Sequence, residues 1–213
     1  MNLQLIKLTH KKLKDHLHRI NTDPNTRERY NSKVNRMMNF LRRTSGFKIA
    51  GVKEGGSRGK QTDLRTSDVD IIYTTNKDQD PNKMKQELFK RISKQKPKGT
   101  HIHVGKKAVQ VDYEKPRCYI DLVYKQNQQF KQEAKNISQI KKMLPRYKNA
   151  IKLAKYALYK AKVSDVHGYE VELACIQLKN DNLVDCVTNL IKYFTGRIKK
   201  KGITVDQVLQ RLT

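Results

Sequence analysis

The sequence has no tryptophan, three cysteines and 20 acidic residues against 46 lysines and arginines. Each shortage excludes something. Without Trp, and without a helix pairing a basic face with a strong Phe/Leu face, attachment to an anionic membrane surface is disfavoured. Cys118, Cys175 and Cys186 are odd in number, widely spaced and set in apolar runs. They read as reduced, buried thiols of an intracellular, cytoplasmic protein, not as a disulfide framework. No apolar stretch approaches the length of a membrane span. The N-terminus, MNLQLIKLTHKKLK, lacks the continuous apolar segment and small-residue cleavage site of a secretory signal. It carries no acid before Asp15 and is read as a helix of the folded protein, with organelle transit as the open alternative.

What is abundant is positive charge. The net charge is +26, and a field of that sign draws polyanions, of which nucleic acid is the commonest. The bland alternative is a lysine- and asparagine-rich proteome, since the lysines are spread along the whole chain. A hydrophobic fraction of 37% is low and a charged fraction of 31% is high, yet the apolar residues are clustered enough to build a core. At 213 residues the chain suffices for one large domain or two small ones sharing an interface.

Periodicity predicts the layout. Leu3, Ile6, Leu13, Leu17 and Ile20 recur at helical spacing, and NTDPNT (21–26) follows as a loop. Val34, Met37, Met38 and Leu41 predict an amphipathic helix, broken at Ser45-Gly46-Phe47. A strand is expected over 47–54, then a loop with a short helix, then a strand over 68–74. Pro81 opens a helix to residue 92, and KQKPKG (94–99) is a basic loop. Three β-rich runs, 100–104, 108–113 and 118–124, are separated by turns at GKK and EKPR. From about residue 135 everything reads as helix. The fold class is therefore α+β: a small mixed sheet with flanking helices over 1–134, then a helical substrate-binding half over 135–213.

Chemistry concentrates in GGSRGKQTDLRTSDVD, residues 55–70. Side chains alternate along a strand, so Asp68 and Asp70 share a face. Two carboxylates on one face repel unless a cation lies between them, and magnesium, a hard cation that also takes water and phosphate, suits that place. Asp121 lies in CYIDLVY, an apolar strand with no other reason to hold a charge. If that strand pairs beside 68–74, cross-strand neighbours stand about 5 Å apart, and three carboxylates so placed can hold two metals for in-line phosphoryl chemistry. Upstream, Gly56 allows close backbone approach to a ligand. The amides of the following turn favour phosphate, and Ser57 adds a hydroxyl. A DxD or a Gly-Ser alone is weak; in this order, with a third acid on a later strand, they make one site.

That order resembles the DNA polymerase β-like nucleotidyltransferase superfamily, whose pattern is Gly-Ser, a spacer ending in Ser-Asp-x-Asp, and a later single Asp. Here these are Gly56-Ser57, Ser67-Asp68-Val69-Asp70 and Asp121. The spacer is similar to that of poly(A) and poly(U) polymerases. AVQVDYEKPRCYIDLVY is more similar to CCA-adding enzymes and to oligoadenylate and cyclic-dinucleotide synthases, although Leu122-Val123-Tyr124 stands where those usually have Val-Val-Pro. RYKNAIKLAKYALYKA resembles the family helix bearing Lys-Tyr, here Lys155-Tyr156, and GYEVELACI resembles the segment that follows it. The resemblance implies catalytic, metal-binding Asp68, Asp70 and Asp121, with two Mg2+ (Mn2+ as substitute). It implies nucleotide contacts from Gly56, Ser57, Ser67, Lys155 and Tyr169. It also implies a nucleoside triphosphate and an RNA acceptor, tRNA or another small RNA, as partners. The short helical half suggests a partner protein as well. The implied activity is template-independent transfer of a nucleoside monophosphate to an RNA 3′ hydroxyl. Alternatives are a nucleic-acid-activated synthase of short or cyclic oligonucleotides, and a non-catalytic RNA-binding subunit.

Other features read as structural. His101 and His103 alternate onto one face of a strand, with no acid or Cys at ligand spacing, and suit an edge strand touching solvent or RNA. Cys118 sits at an odd offset from Asp121 and belongs to the core. Lys152 is expected on a solvated helix face. Tyr156, Tyr159 and Tyr169 are candidates for stacking on a base, with core packing the safer reading for at least two of them.

Overall fold

The computed structural model describes residues 8–43, 48–65, 67–95, 99–114, 118–178 and 182–213. Leu3, Ile6, the Ser45-Gly46-Phe47 break and parts of the two expected basic turns (96–98 and 115–117) lie outside the described residues. The chain runs α1 (His10–Ile20), α2 (Pro24–Arg43), β1 (Ile49–Glu54), α3 (Gly56–Gly59), β2 (Val69–Thr75), α4 (Pro81–Lys94), β3 (Thr100–Val104), β4 (Val109–Tyr113) and β5 (Cys118–Tyr124). It continues through α5 (Asn127–Lys141), α6 (Pro145–Lys160), α7 (Gly168–Gln177), α8 (Leu183–Tyr193), α9 (Thr195–Lys200) and α10 (Val205–Leu209) to a 3-10 turn at Gln210–Leu212. This is an α+β fold with one mixed five-stranded sheet. No described helix is long and apolar enough to cross a membrane.

Two compact units share the chain, and they interleave. The sheet unit holds α2 to α5 apart from the segment Gln61–Arg65; the helical unit holds α1, Gln61–Arg65 and α6 onward. A single break after residue 134 was expected. Instead α5 goes with the sheet, and α1 goes with the later helices because its Leu13, Leu17 and Ile20 stripe is buried in that unit.

In the sheet unit the strand order is β1-β2-β5-β4-β3. β2 and β5 are parallel, and the other pairs are antiparallel. Alternation decides the faces. Along β5 Cys118, Ile120, Leu122 and Tyr124 are buried, leaving Tyr119, Asp121 and Val123 for the other side. The buried face joins Ile71 and Tyr73 of β2, Val109 and Val111 of β4, the Val34, Met37 and Leu41 stripe of α2, and Met84, Leu88 and Ile92 of α4. A slip of one residue in β5 would turn this core strand inside out. α2 starts earlier than expected, inside the supposed 21–26 loop, because Asp23 accepts from Thr26 N at 2.9 Å and Pro24 occupies the first helical turn.

The helical unit is built around α6, where Ala150, Ala154 and Ala157 let neighbours approach closely and Ile151, Leu153 and Leu158 fill the remaining faces. α8 adds Val187, Leu190 and Ile191, and the C-terminus adds Val208 and Leu212. Arg65 N donates to Ile20 O at 2.7 Å, tying the 61–65 segment to the end of α1.

Candidate active site

Gly56 starts α3 with φ +57°, a left-handed conformation that disfavours other residues. A Cβ there would lie 1.8 Å from Asp70 Oδ2, so only glycine lets the turn rest against the carboxylate. Gly59 is equally constrained: its Cβ would fall 2.3 Å from Glu54 O. The turn is closed by Gly55 N donating to Asp70 O (2.8 Å) and Gly59 N donating to Gly55 O (2.8 Å). Arg58 pins it from below. Its Nε donates to Glu54 Oε1 (2.6 Å) and its Nη2 to Asn31 Oδ1 (2.5 Å), and it lies over the Tyr30 ring. α3 is a single turn of four residues, so the dipole expected of a following helix contributes little.

β2 begins at Val69, one residue later than expected, so Asp68 stands just before the strand and is exposed. Ser67 precedes it and Ser57 lies in α3, both half-buried. Asp70 is on β2, and its parallel partner on β5 is Asp121. The anticipated neighbouring of the two strands is thus present, with the two aspartates directly in register. Burial first, then the Asp121, Glu133 and Asp68 carboxylates, push the Asp70 carboxyl up to about 6, while Lys60 pulls it down. Burial and Asp121 raise Asp68 as well. Gln110 Nε2 donates to Asp121 Oδ1 at 2.9 Å.

Among the described residues no three His, Cys, Asp or Glu side chains form a ready-made metal cage. The donor set still suits a hard divalent cation. It consists of carboxylates only, two of them on paired residues, and burial, then the crowding of like charges, makes Asp70 harder to ionise. A cation would relieve the same repulsion that the proton relieves.

Lys155 and Tyr169 belong to the helical unit. Lys155 Nζ is paired with Glu172 Oε1 at 2.5 Å and donates to Thr62 Oγ1 at 3.2 Å, while Thr62 Oγ1 donates to Glu172 Oε1 at 2.6 Å. This buried triad joins α6, α7 and the 61–65 segment. Tyr169 is 55% exposed and stacks on the His167 ring, the centroids 5.9 Å apart. Lys152 departs from expectation: it is buried, not solvated, and donates to Asn21 Oδ1 at 2.9 Å. His101 and His103 do lie on an edge strand, and Cys118, Cys175 and Cys186 are buried and in no disulfide.

Sequence reasoning passes over Lys60, Gln110 and Glu133. None belongs to a spaced motif. Glu133 reaches the site through the helical phase of α5, and Gln110 through strand register, neither of which a single sequence displays.

No protein-family model matches the chain, and no curated protein matches it in sequence. Solved structures do match its fold. CdnC of E. coli MS115-1 with ATP aligns at a TM-score of 0.72 and 16% identity, over 89% of this chain and 72% of that one. The CdnE cyclic dinucleotide synthase of Elizabethkingia meningoseptica, with GTP and Apcpp, aligns at 0.64 and 13% identity over 97% of both chains. The Cid1 poly(U) polymerase with Mg and 3′-dATP aligns at 0.66 and 10% identity, over 87% of this chain and 72% of that one. These share the polymerase β-like nucleotidyltransferase fold, which is the fold of this chain.

Proposed function

We propose that the protein is a metal-dependent nucleotidyltransferase that adds a nucleoside monophosphate from a triphosphate to the 3′ hydroxyl of an RNA, without a template. The observation that carries this reading is the in-register Asp70–Asp121 pair beside a turn that only glycine can make. In the reaction the acceptor oxygen bonds to the α-phosphorus, the bond from that phosphorus to the bridging oxygen breaks, pyrophosphate leaves and the hydroxyl gives up its proton. Asp68 and Asp70 would hold the nucleotide-side magnesium, and Asp70 with Asp121 the acceptor-side one. Bound there, the ions would lower the pKa of the attacking hydroxyl and neutralise charge on the leaving group. Gly56 and Ser57 present backbone amides and a hydroxyl to the triphosphate, and Ser67 flanks the first aspartate. In this reading Lys155 serves phosphate and Tyr169 the base. The net charge of +26 supports a polyanionic acceptor.

A second reading has its own support. The alignment over 97% of both chains with a cyclic dinucleotide synthase favours synthesis of short or cyclic oligonucleotides, with nucleic acid on the basic surface as activator. The complex of E. coli CdnC with a HORMA protein makes a partner protein worth testing under this reading.

The experiment is incubation of the full chain with Mg2+ and each labelled triphosphate, with and without small RNAs, resolved on a denaturing gel. Label on RNA supports the terminal transferase and identifies its base. Label in short products that need nucleic acid only as activator supports the synthase. No label in either form, together with tight RNA binding, overturns both in favour of a binding subunit. The Asp68→Asn/Asp70→Asn variant is expected to lose all transfer; transfer at the parent rate would remove the site from consideration.

A further inference from the structure

The line of in-register residues does not stop at Asp121. His103 of β3 is opposite Gln110 of β4, Gln110 is opposite Asp121 of β5, and Asp121 is opposite Asp70 of β2. Four residues from four neighbouring strands therefore form one row, running from the sheet edge to the aspartates. Side chains at paired positions emerge on the same face.

The row is hydrogen-bonded along its outer part. His103 Nε2 lies 2.7 Å from Gln110 Oε1, and Gln110 Nε2 lies 2.9 Å from Asp121 Oδ1. An amide oxygen only accepts, so His103 Nε2 is the donor. That fixes the direction of the Gln110 amide: oxygen to His103, nitrogen to Asp121. The other ring nitrogen of His103, Nδ1, lies 3.8 Å from Asp112 Oδ2, beyond hydrogen-bond reach. His103 itself has a half-exposed side chain on an edge strand.

For Asp121 the consequence is a broken symmetry. A carboxylate crowded by Asp70 and Asp68 would rotate to escape their field. The Gln110 amide occupies Oδ1 and holds the plane of the group, leaving Oδ2 as the oxygen available to a cation. Partners that orient a ligating carboxylate in this way typically govern metal affinity by about 10- to 100-fold.

We propose that Gln110, oriented by His103, is a positioning residue that sets the Asp121 carboxylate for a divalent cation. The inference rests on the reading of the aspartates as a metal site. A merely structural role would predict something else: a cross-strand pair that steadies the β3 edge, whose loss lowers stability and leaves metal binding untouched.

The test is Mn2+ binding to the purified full chain, read from the electron paramagnetic resonance signal of free Mn2+, beside thermal unfolding. Gln110→Leu leaves an apolar side chain one atom shorter and removes the donor. It is expected to weaken Mn2+ binding by roughly 10-fold or more. His103→Ala is expected to weaken it less, and His103→Gln, which restores an N–H at the same reach, to recover it. Because His103 is on an exposed edge, its variants carry the test even if Gln110→Leu fails to fold. Parent-like Mn2+ affinity in Gln110→Leu and His103→Ala, with binding abolished in Asp121→Asn, overturns the positioning role alone. Parent-like affinity in Asp121→Asn overturns the metal site beneath it.

Discussion

Asp70 carries the heaviest electrostatic load of any residue in the site. Its carboxyl is raised from an ordinary 3.8 to about 6, by burial first and by Asp121, Glu133 and Asp68 after it. The sign follows directly. The folded state binds this proton more tightly than the unfolded chain does, so the penalty is absent below about pH 3.8 and complete above about pH 6. Its size is on the order of 3 kcal/mol. Metal-free Asp70→Asn should therefore be more stable than the parent at pH 8 and lose that advantage at pH 4, as measured by urea unfolding at both pH values. Mg2+ should raise the melting temperature of the parent and leave that of the variant unchanged; equal responses would mean that Asp70 holds no cation. Gly56 gives a second prediction at this scale. Gly56→Ala places a methyl where Asp70 Oδ2 stands, in a left-handed conformation. It should cost about 1 to 3 kcal/mol of stability and abolish nucleotidyl transfer. A conservative Ser57→Thr should cost far less, which separates loss of the turn from loss of a hydroxyl.

Among the elements, α6 and α7 are joined by a largely buried charge pair. Lys155 and Glu172 have side chains only 11% and 3% exposed, and Thr62 bonds to both. Removing one partner leaves the other's buried charge without this counter-ion, at about 3 to 5 kcal/mol. Lys155→Ala should destabilise the protein by that amount, whereas the double variant Lys155→Met/Glu172→Leu should recover much of it; chemical denaturation of the three proteins checks both. This pairing also shows what the sequence reveals and what it hides. GYEVELACI contains Glu172 in a helical pattern, but its partner 17 residues upstream appears only once α6 and α7 are packed. The strands fare better. CYIDLVY alternates, so its buried and open faces follow from the string, and the lone Asp on the open face marks itself. The spacing of Asp68 and Asp70 is equally visible in the string, although β2 begins only at Val69 and Asp68 precedes it. Gln110 and Glu133 are not, because strand order and register are properties of the folded sheet. Lys152 misleads for the opposite reason: lysine is so common here that one buried lysine looks like all the exposed ones.

At the scale of the whole molecule the net charge of +26 acts independently of the site. It contributes to either enzymatic reading, drawing an RNA acceptor in one and a nucleic-acid activator in the other. The long-range field does not select among polyanions, so selectivity has to arise in short-range contacts, and the two kinds of interaction respond differently to salt. If the basic surface contacts about 6 to 10 phosphates, RNA affinity should fall about 10³- to 10⁵-fold between 50 and 200 mM salt. A shallow slope would assign the lysines to compositional bias instead. The Asp68→Asn/Asp70→Asn variant separates the field from the chemistry. It removes two negative charges beside the turn, so its RNA affinity at fixed salt should equal or exceed that of the parent while transfer is lost. Electrophoretic mobility shift across a salt series, run beside the gel assay for transfer, measures both quantities on the same preparations. Parallel loss of binding and transfer would place the RNA itself on the aspartates, and the polyanion surface would then have to be sought within the site and not outside it.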